Sequence, residues 1–173
     1  MNIFVEEFYS GSKVCIYTVR KEEAELSETQ DFFRRVGFMP EYIEDAQKLS
    51  RLLSNQIANI YGAHDKYFNR NEKRATALPP SGRYKGFKGE KVVNFSYFPL
   101  RLYSLRLSNS VIVLFNGGIK ETGGSAQNDE KVSIYFQEAN EFTKRIFSAI
   151  REETICLNYK SMVDFQGNKT IIL

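Results

Sequence analysis

The stretch Pro99–Lys120, PLRLYSLRLSNSVIVLFNGGIK, carries the most regular pattern in the chain. Leu100, Leu102, Leu105 and Leu107 recur among Arg101, Tyr103, Ser104 and Arg106. This spacing predicts a strand with an apolar face and a cationic face, and one slip, a candidate bulge, near Ser104. Ser108, Asn109 and Ser110 form a polar break, after which Val111–Phe115 is a continuous apolar run suited to a fully buried strand. The two runs read as a hairpin. Asn116, Gly117 and Gly118 read as a kink or turn at its end, because glycine adopts backbone angles closed to other residues. The hairpin therefore places three cations, Arg101, Arg106 and Lys120, on well-anchored strands.

Working outward, Lys91–Phe98 (KVVNFSYF) reads as a strand ahead of the hairpin, which makes a meander of three. Before it, residues 62–89 read as a long loop, since Pro79 and Pro80 fit neither a helix interior nor a central strand. Basic residues interleave there with Tyr67, Phe68, Tyr84 and Phe87. Such a mixture can clamp a phosphate backbone and stack on bases, or the aromatic rings can tuck into the core. At the amino end, Ile3–Phe8 and Val14–Val19 flank a turn and read as a hairpin. Ser27 followed by Gln30 has the spacing of a capping box and predicts a helix from Glu28 to about Val36. Gly37 ends it, Pro40 opens the next, and apolar residues from Ile43 to Ile60 at three- and four-residue spacing carry that helix to about Tyr61. After Lys120, the run ETGGSAQNDEK reads as a flexible loop, Val132–Ile150 as a third amphipathic helix, and MVDFQGNKTIIL as a hairpin turning at Gly167 and Asn168.

With 173 residues, 42% hydrophobic and 26% charged, the chain is expected to fold as a single domain spanning residues 1–173. No window approaches the roughly 18 apolar residues of a membrane span, and the acidic start MNIFVEEF is unlike a secretory signal. A cytoplasmic protein with no membrane partner is the expectation. Cys15 and Cys156 have no CxxC or histidine neighbours, so reduced, buried thiols and no metal site are expected. The charge is uneven: residues 61–120 hold 11 Lys or Arg against 3 Asp or Glu, a net +8, within a chain whose total is +3. That block has the electrostatic footprint of a polyanion-binding surface, or equally of a solvated face. Arg83, Lys85, Lys88 and Lys91, with Tyr103 and His64, are its candidate RNA-binding residues.

His64 is the one histidine, so histidine-pair ribonuclease and zinc chemistry drop out, and no GxSxG, HExxH, P-loop or GxGxxG motif is present. No cofactor is implied. Lys, Arg and Tyr remain, and these can cleave RNA without a metal where a base takes the 2′-hydroxyl proton and cations hold the charge on the phosphate.

The order strand, two helices, three-strand meander and final helix resembles the RelE/ParE toxin superfamily, especially its HigB-like branch. The segments that carry the likeness are YKGFKGEKVVNFSYF, PLRLYSLRL, SVIVLFNGGIKET and FQEANEFTKRI. The likeness covers a core of about residues 14–150, with residues 84–122 its specific part, and leaves about 152–173 as a C-terminal extension. It implies ribosome-dependent mRNA cleavage by a toxin of a toxin–antitoxin system, with a small helix-turn-helix antitoxin as partner. Arg101 matches the arginine of the family's "yR" strand and Lys120 the first lysine of its "KKT" signature, where the second is Glu121 here. Arg106 joins them as a catalytic candidate from its strand context. The expected architecture is α+β: an antiparallel sheet, RelE-like, with helices packed on one face, a cationic opposite face that meets RNA, and a hairpin at each end. The alternatives are a non-catalytic module on the same fold that binds nucleic acid, gyrase or a protein partner, and an interaction protein whose hairpin tails build a homo-oligomer.

Overall fold

A computed structural model describes residues 1–84, 93–95, 97–120 and 130–173. The chain opens with the expected hairpin, strand β1 (Ile3–Ser10) against β2 (Cys15–Lys21). Helix α1 (Glu28–Gly37) begins at the expected capping box, in which Ser27 Oγ accepts from the Gln30 N–H and the Gln30 side chain accepts from the Ser27 N–H. Helix α2 (Ile43–Arg51) starts three residues beyond Pro40, because Pro40 sits inside a turn closed by the Tyr42 N–H to the Met39 carbonyl. The helix then widens into a π-helical segment, Leu52–Tyr61. There the Ala58 carbonyl accepts from the N–H groups of Lys13 and Val14, which docks the β1–β2 turn onto it.

Residues 62–84 are less loop-like than expected. A 3₁₀ turn (Asp65–Phe68) precedes strands β3 (Arg70–Glu72) and β4 (Ala75–Leu78), and β5 (Arg83–Tyr84) pairs with β6 (Val93–Asn94). Alanines 75 and 77 have low strand propensity, but both are buried, and their small side chains leave room for the helix packed over them. The long strands β7 (Leu100–Arg106) and β8 (Val111–Ile119) form the expected central hairpin. Helix α3 (Glu130–Arg151) follows, then β9 (Ile155–Leu157), β10 (Met162–Asp164) and β11 (Ile171–Ile172). The flexible loop expected after Lys120 lies, up to residue 129, outside the described residues, as do Phe87 and part of KVVNFSYF.

The fold is mixed α+β around a seven-stranded sheet of order β11-β1-β2-β8-β7-β4-β3. All its neighbours run antiparallel except β2 and β8, which are parallel with Cys15 opposite Val111 and Thr18 opposite Leu114. Three expectations are corrected. The partner of β7 in the meander is β4, not the 91–98 segment, of which Val93–Asn94 pairs with β5 in a separate ribbon. The C-terminal hairpin does not form between its expected arms: β10 folds back on β9, while β11 crosses to pair with β1, although Gly167 does turn, at φ +88°. Helices also cover both faces of the sheet rather than one. Residues Tyr17, Val113, Phe115, Tyr103 and Leu105 pack under Phe136, Phe142 and Ile146 of α3. The alternate residues Ile16, Ile112, Leu114, Leu100 and Leu102 pack under Phe32, Leu49 and Ile57 on the other side.

Two buried faces account for the slip in the leucine pattern. Leu100 and Leu102 face one helical layer and Leu105 the other, so β7 itself stays in phase. The irregularity lies on β8: Leu102 pairs with Gly117 and Ser104 with Leu114, so Phe115 and Asn116 together oppose Tyr103 as a bulge. Gly117, expected in a terminal kink, lies within β8. Of the two cysteines, Cys15 is buried but Cys156 is exposed, and both are free.

Candidate functional site

The hairpin cations do not converge. Side chains alternate along a strand, so Arg101 and Arg106, five residues apart, leave opposite faces of β7 and stand about 16 Å apart along it at roughly 3.3 Å per residue. Arg101 is buried, and its guanidinium donates to the carbonyls of Phe98 (2.6 Å) and Leu100 (2.8 Å). Arg106 donates from Nε to the Ala63 carbonyl (2.6 Å) and from Nη2 to Asn109 Oδ1, which ties the β7–β8 turn to the end of the π-helical segment. His64 lies at that same end, with Nε2 2.6 Å from the Tyr61 carbonyl. Lys120 follows β8 at the opposite end, near Arg101, and its main-chain N–H donates to the Pro99 carbonyl (2.7 Å).

Tyr103 is fully buried, its ring edge-on to Phe136 at 6.1 Å, so it is a core residue and reaches no ligand from this position. Tyr67 and Phe68 are likewise buried, which decides that these two loop aromatics serve the core. Arg83 lies in β5 with its backbone paired to Asn94. Lys85, Lys88 and Lys91 lie outside the described residues.

Two arrangements are brought together by the fold; the first had no signal in the sequence, and the second gathers three cations of the basic block 61–120 that no motif singled out. The first is a crevice of about 490 Å³ at the carboxyl ends of the parallel pair β2 and β8, where the chain leaves β2 for α1 on one face and β8 for α3 on the other. Lys21 Nζ lies 3.3 Å from Glu28 of α1 and 2.6 Å from Glu138 of α3. Asn116 of β8 donates to Glu28 (2.9 Å) and to Asp31 (3.3 Å), and Arg35 donates to Asp31 (2.9 Å) while its guanidinium lies 4.7 Å from the centre of the Tyr135 ring. Burial alone would raise the Asp31 carboxyl, but the bonds from Arg35 and Asn116 outweigh it and hold the group below the usual carboxylate range. Burial would lower the Lys21 ammonium, but the bond it donates to Glu138 and the charge of Glu28 hold it above the usual lysine value. These charges satisfy one another across the end of the sheet, so the cluster clasps the two helical layers together. Among the described residues no group of His, Cys, Asp and Glu is placed to hold a metal ion.

The second arrangement is the open edge of the sheet. Strand β3 is the last strand on its side, with Asn69 and Asn71 exposed and Arg70 half-buried. Arg70 donates from Nε to the Pro79 carbonyl (2.7 Å) and from Nη2 to the Phe95 carbonyl (3.2 Å). Lys73 and Arg74 are exposed on the β3–β4 turn. That turn is firmly placed: Asn140 of α3 accepts from the main-chain N–H groups of Arg74 (2.7 Å) and Ala75 (3.1 Å), and Lys73 Nζ lies 5.5 Å from the centre of the Phe136 ring. A basic edge with fixed backbone can follow a row of phosphates; the same charges also keep an edge strand from pairing with other chains. No helix among the described residues is long and apolar enough to cross a membrane. Compared with known proteins, the chain matches no family model, no curated protein and no solved structure.

Proposed function

We propose that this chain is a non-catalytic nucleic-acid-binding module that holds single-stranded RNA by its backbone along the β3 edge. The observation that carries the reading is the division of labour among the described cations of residues 61–120. Arg101 and Arg106 leave opposite faces of β7 and bond main-chain carbonyls, whereas Lys73 and Arg74 stand exposed on a braced turn beside Arg70. Phosphoryl chemistry needs its cations and base around one phosphate, and backbone binding needs only a row of charges at the surface. Binding of a fluorescein-labelled 12-nucleotide oligouridylate, followed by anisotropy over a range of salt concentrations, tests this. The expected result is salt-dependent binding without cleavage, and K73A/R74A should lower the salt slope by about 1.4, at roughly 0.7 per single-strand phosphate contact. No binding at low salt overturns it.

A second reading, a RelE/ParE-like toxin that cleaves mRNA on the ribosome and is held by a helix-turn-helix antitoxin, is favoured by one observation. The order β2, α1, α2, then the meander β4, β7, β8, then α3 follows the order on which the resemblance rests, with Lys120 and Arg101 near one end of that meander. Purified protein added to a translation reaction separates the two: cleaved mRNA, abolished by Lys120→Ala, supports the toxin, and intact mRNA the binding module.

A further inference from the structure

We infer that Tyr97 is a stacking platform for an unpaired base and that it makes the basic edge select single-stranded over duplex nucleic acid; this rests on the nucleic-acid reading of that edge. Tyr97 is 97% exposed, while Phe95 and Phe98 on either side are 4% and 8% exposed. Its two aromatic neighbours are buried edge-to-face at 5.3 Å. A large aromatic ring left wholly in water between two buried ones contributes nothing to this core.

The ring is presented by a turn that is held at both ends. The Phe98 N–H donates to the Phe95 carbonyl (3.2 Å), and the Phe95 N–H to the Gly82 carbonyl (3.1 Å). The Phe95 carbonyl also accepts from Arg70, and the Phe98 carbonyl from the buried Arg101. Two guanidinium groups therefore brace the carbonyls that flank Tyr97. With its backbone held, Tyr97 gives up only side-chain freedom when a base stacks on its ring.

The position matters as much as the exposure. Arg70, which braces the near end of this turn, opens β3, and Arg74 lies four residues on, at most about 13 Å along the chain at roughly 3.3 Å per residue. Stacking surface and phosphate-binding edge are thus joined through one side chain. Every base has a π face, so stacking on tyrosine tolerates any sequence, but the faces are available only where bases are not already paired and stacked in a duplex. Arg101, selected from the sequence as a catalytic cation, acts here as a positioning residue for the turn.

The test compares the labelled 12-nucleotide oligouridylate, alone and annealed to oligoadenylate, binding to wild type, Tyr97→Ala, Tyr97→Phe and K73A/R74A. Tyr97→Ala is expected to bind the single strand about 10-fold more weakly and the duplex as wild type does, Tyr97→Phe to retain both, and K73A/R74A to weaken both equally. Unchanged melting of Tyr97→Ala excludes misfolding as the cause. If Tyr97→Ala binds the single strand as wild type does, or loses both forms equally, the platform is refuted while the basic edge stands. If wild type binds neither form, the nucleic-acid reading itself falls.

Discussion

Replacing Gly117 with alanine tests the central hairpin at its tightest point. A β-carbon built there would lie 1.9 Å from the Arg101 carbonyl oxygen and 2.9 Å from both the Arg101 carbonyl carbon and the Leu102 Cα. The first distance is more than an ångström shorter than β-carbon contacts reach in folded chains. All three atoms are backbone of β7, a strand paired on both sides by β8 and β4, so neither partner can swing aside as a side chain would. Overpacking in cores usually costs 1–3 kcal/mol, and with backbone on both sides the expected loss is about 3 kcal/mol. For a chain of this length each kcal/mol moves the melting temperature by roughly 2–4 °C, so Gly117→Ala should melt about 6–12 °C below wild type. Thermal unfolding followed by circular dichroism measures this. Gly37→Ala is the matched control: it ends α1, has no atom within 4 Å of the new β-carbon, and should gain up to about 1 kcal/mol from the better helix former. A Gly117→Ala melting temperature within 2 °C of wild type would refute the close approach of β7 and β8.

Other substitutions probe the caps, core and charges. Ser27→Ala removes the Oγ that accepts from the Gln30 N–H, and urea unfolding should show a loss of about 1 kcal/mol. Phe32→Ala opens a cavity in the layer under α1 and should cost about 3–5 kcal/mol by the same measurement; a value near zero would mean that this layer is not packed. Arg101→Leu leaves the Phe98 and Leu100 carbonyls without this donor and should cost about 2 kcal/mol, whereas an undiminished urea midpoint would argue against a bracing role. Asp31 has a lowered pKa in the fold, so its contribution is present above about pH 4 and is lost as pH falls through the folded value. Lys21 has a raised pKa, so its contribution is complete below about pH 10.4 and is lost as pH rises through the folded value. Tyr17, pushed up to about 12 mainly by burial, adds to the alkaline loss, because above about pH 10 the unfolded chain gives up that proton first. Urea midpoints for wild type and Asp31→Asn between pH 2 and 6 should converge at the acid end; parallel curves would contradict the assignment.

Local signals carried the expected elements wherever the chemistry was itself local. The Ser27–Gln30 box, the apolar stripe from Ile43 to Ile60 and the run Val111–Phe115 each specify a structure from neighbouring residues, and each element lies where they place it, except that α2 starts after Pro40 and gives way to the π-helical segment at Leu52. The candidate site was far less legible. Arg101 reads in sequence as a cation on an open face, and Tyr103 as its polar neighbour, because alternation was assigned to a sheet with one buried side. With α3 on the other side, both are buried. The clasp of Lys21, Glu28, Asn116 and Glu138 joins residues up to 117 positions apart, and no local pattern announces it. Tyr97 reads in sequence as part of a strand, KVVNFSYF, whereas in the fold it stands exposed on a turn whose carbonyls Arg70 and Arg101 hold.

By itself the sequence determined that a hairpin of the runs Leu100–Leu107 and Val111–Phe115 lies at the centre and that the middle third of the chain is strongly basic, since strand propensity and charge belong to residues one at a time. Only the tertiary structure decided which charges face solvent. A strand covered on both sides turns its alternate residues into core, so Arg101 became a brace, whereas the turn after β3, at the end of the sheet, left Lys73 and Arg74 exposed.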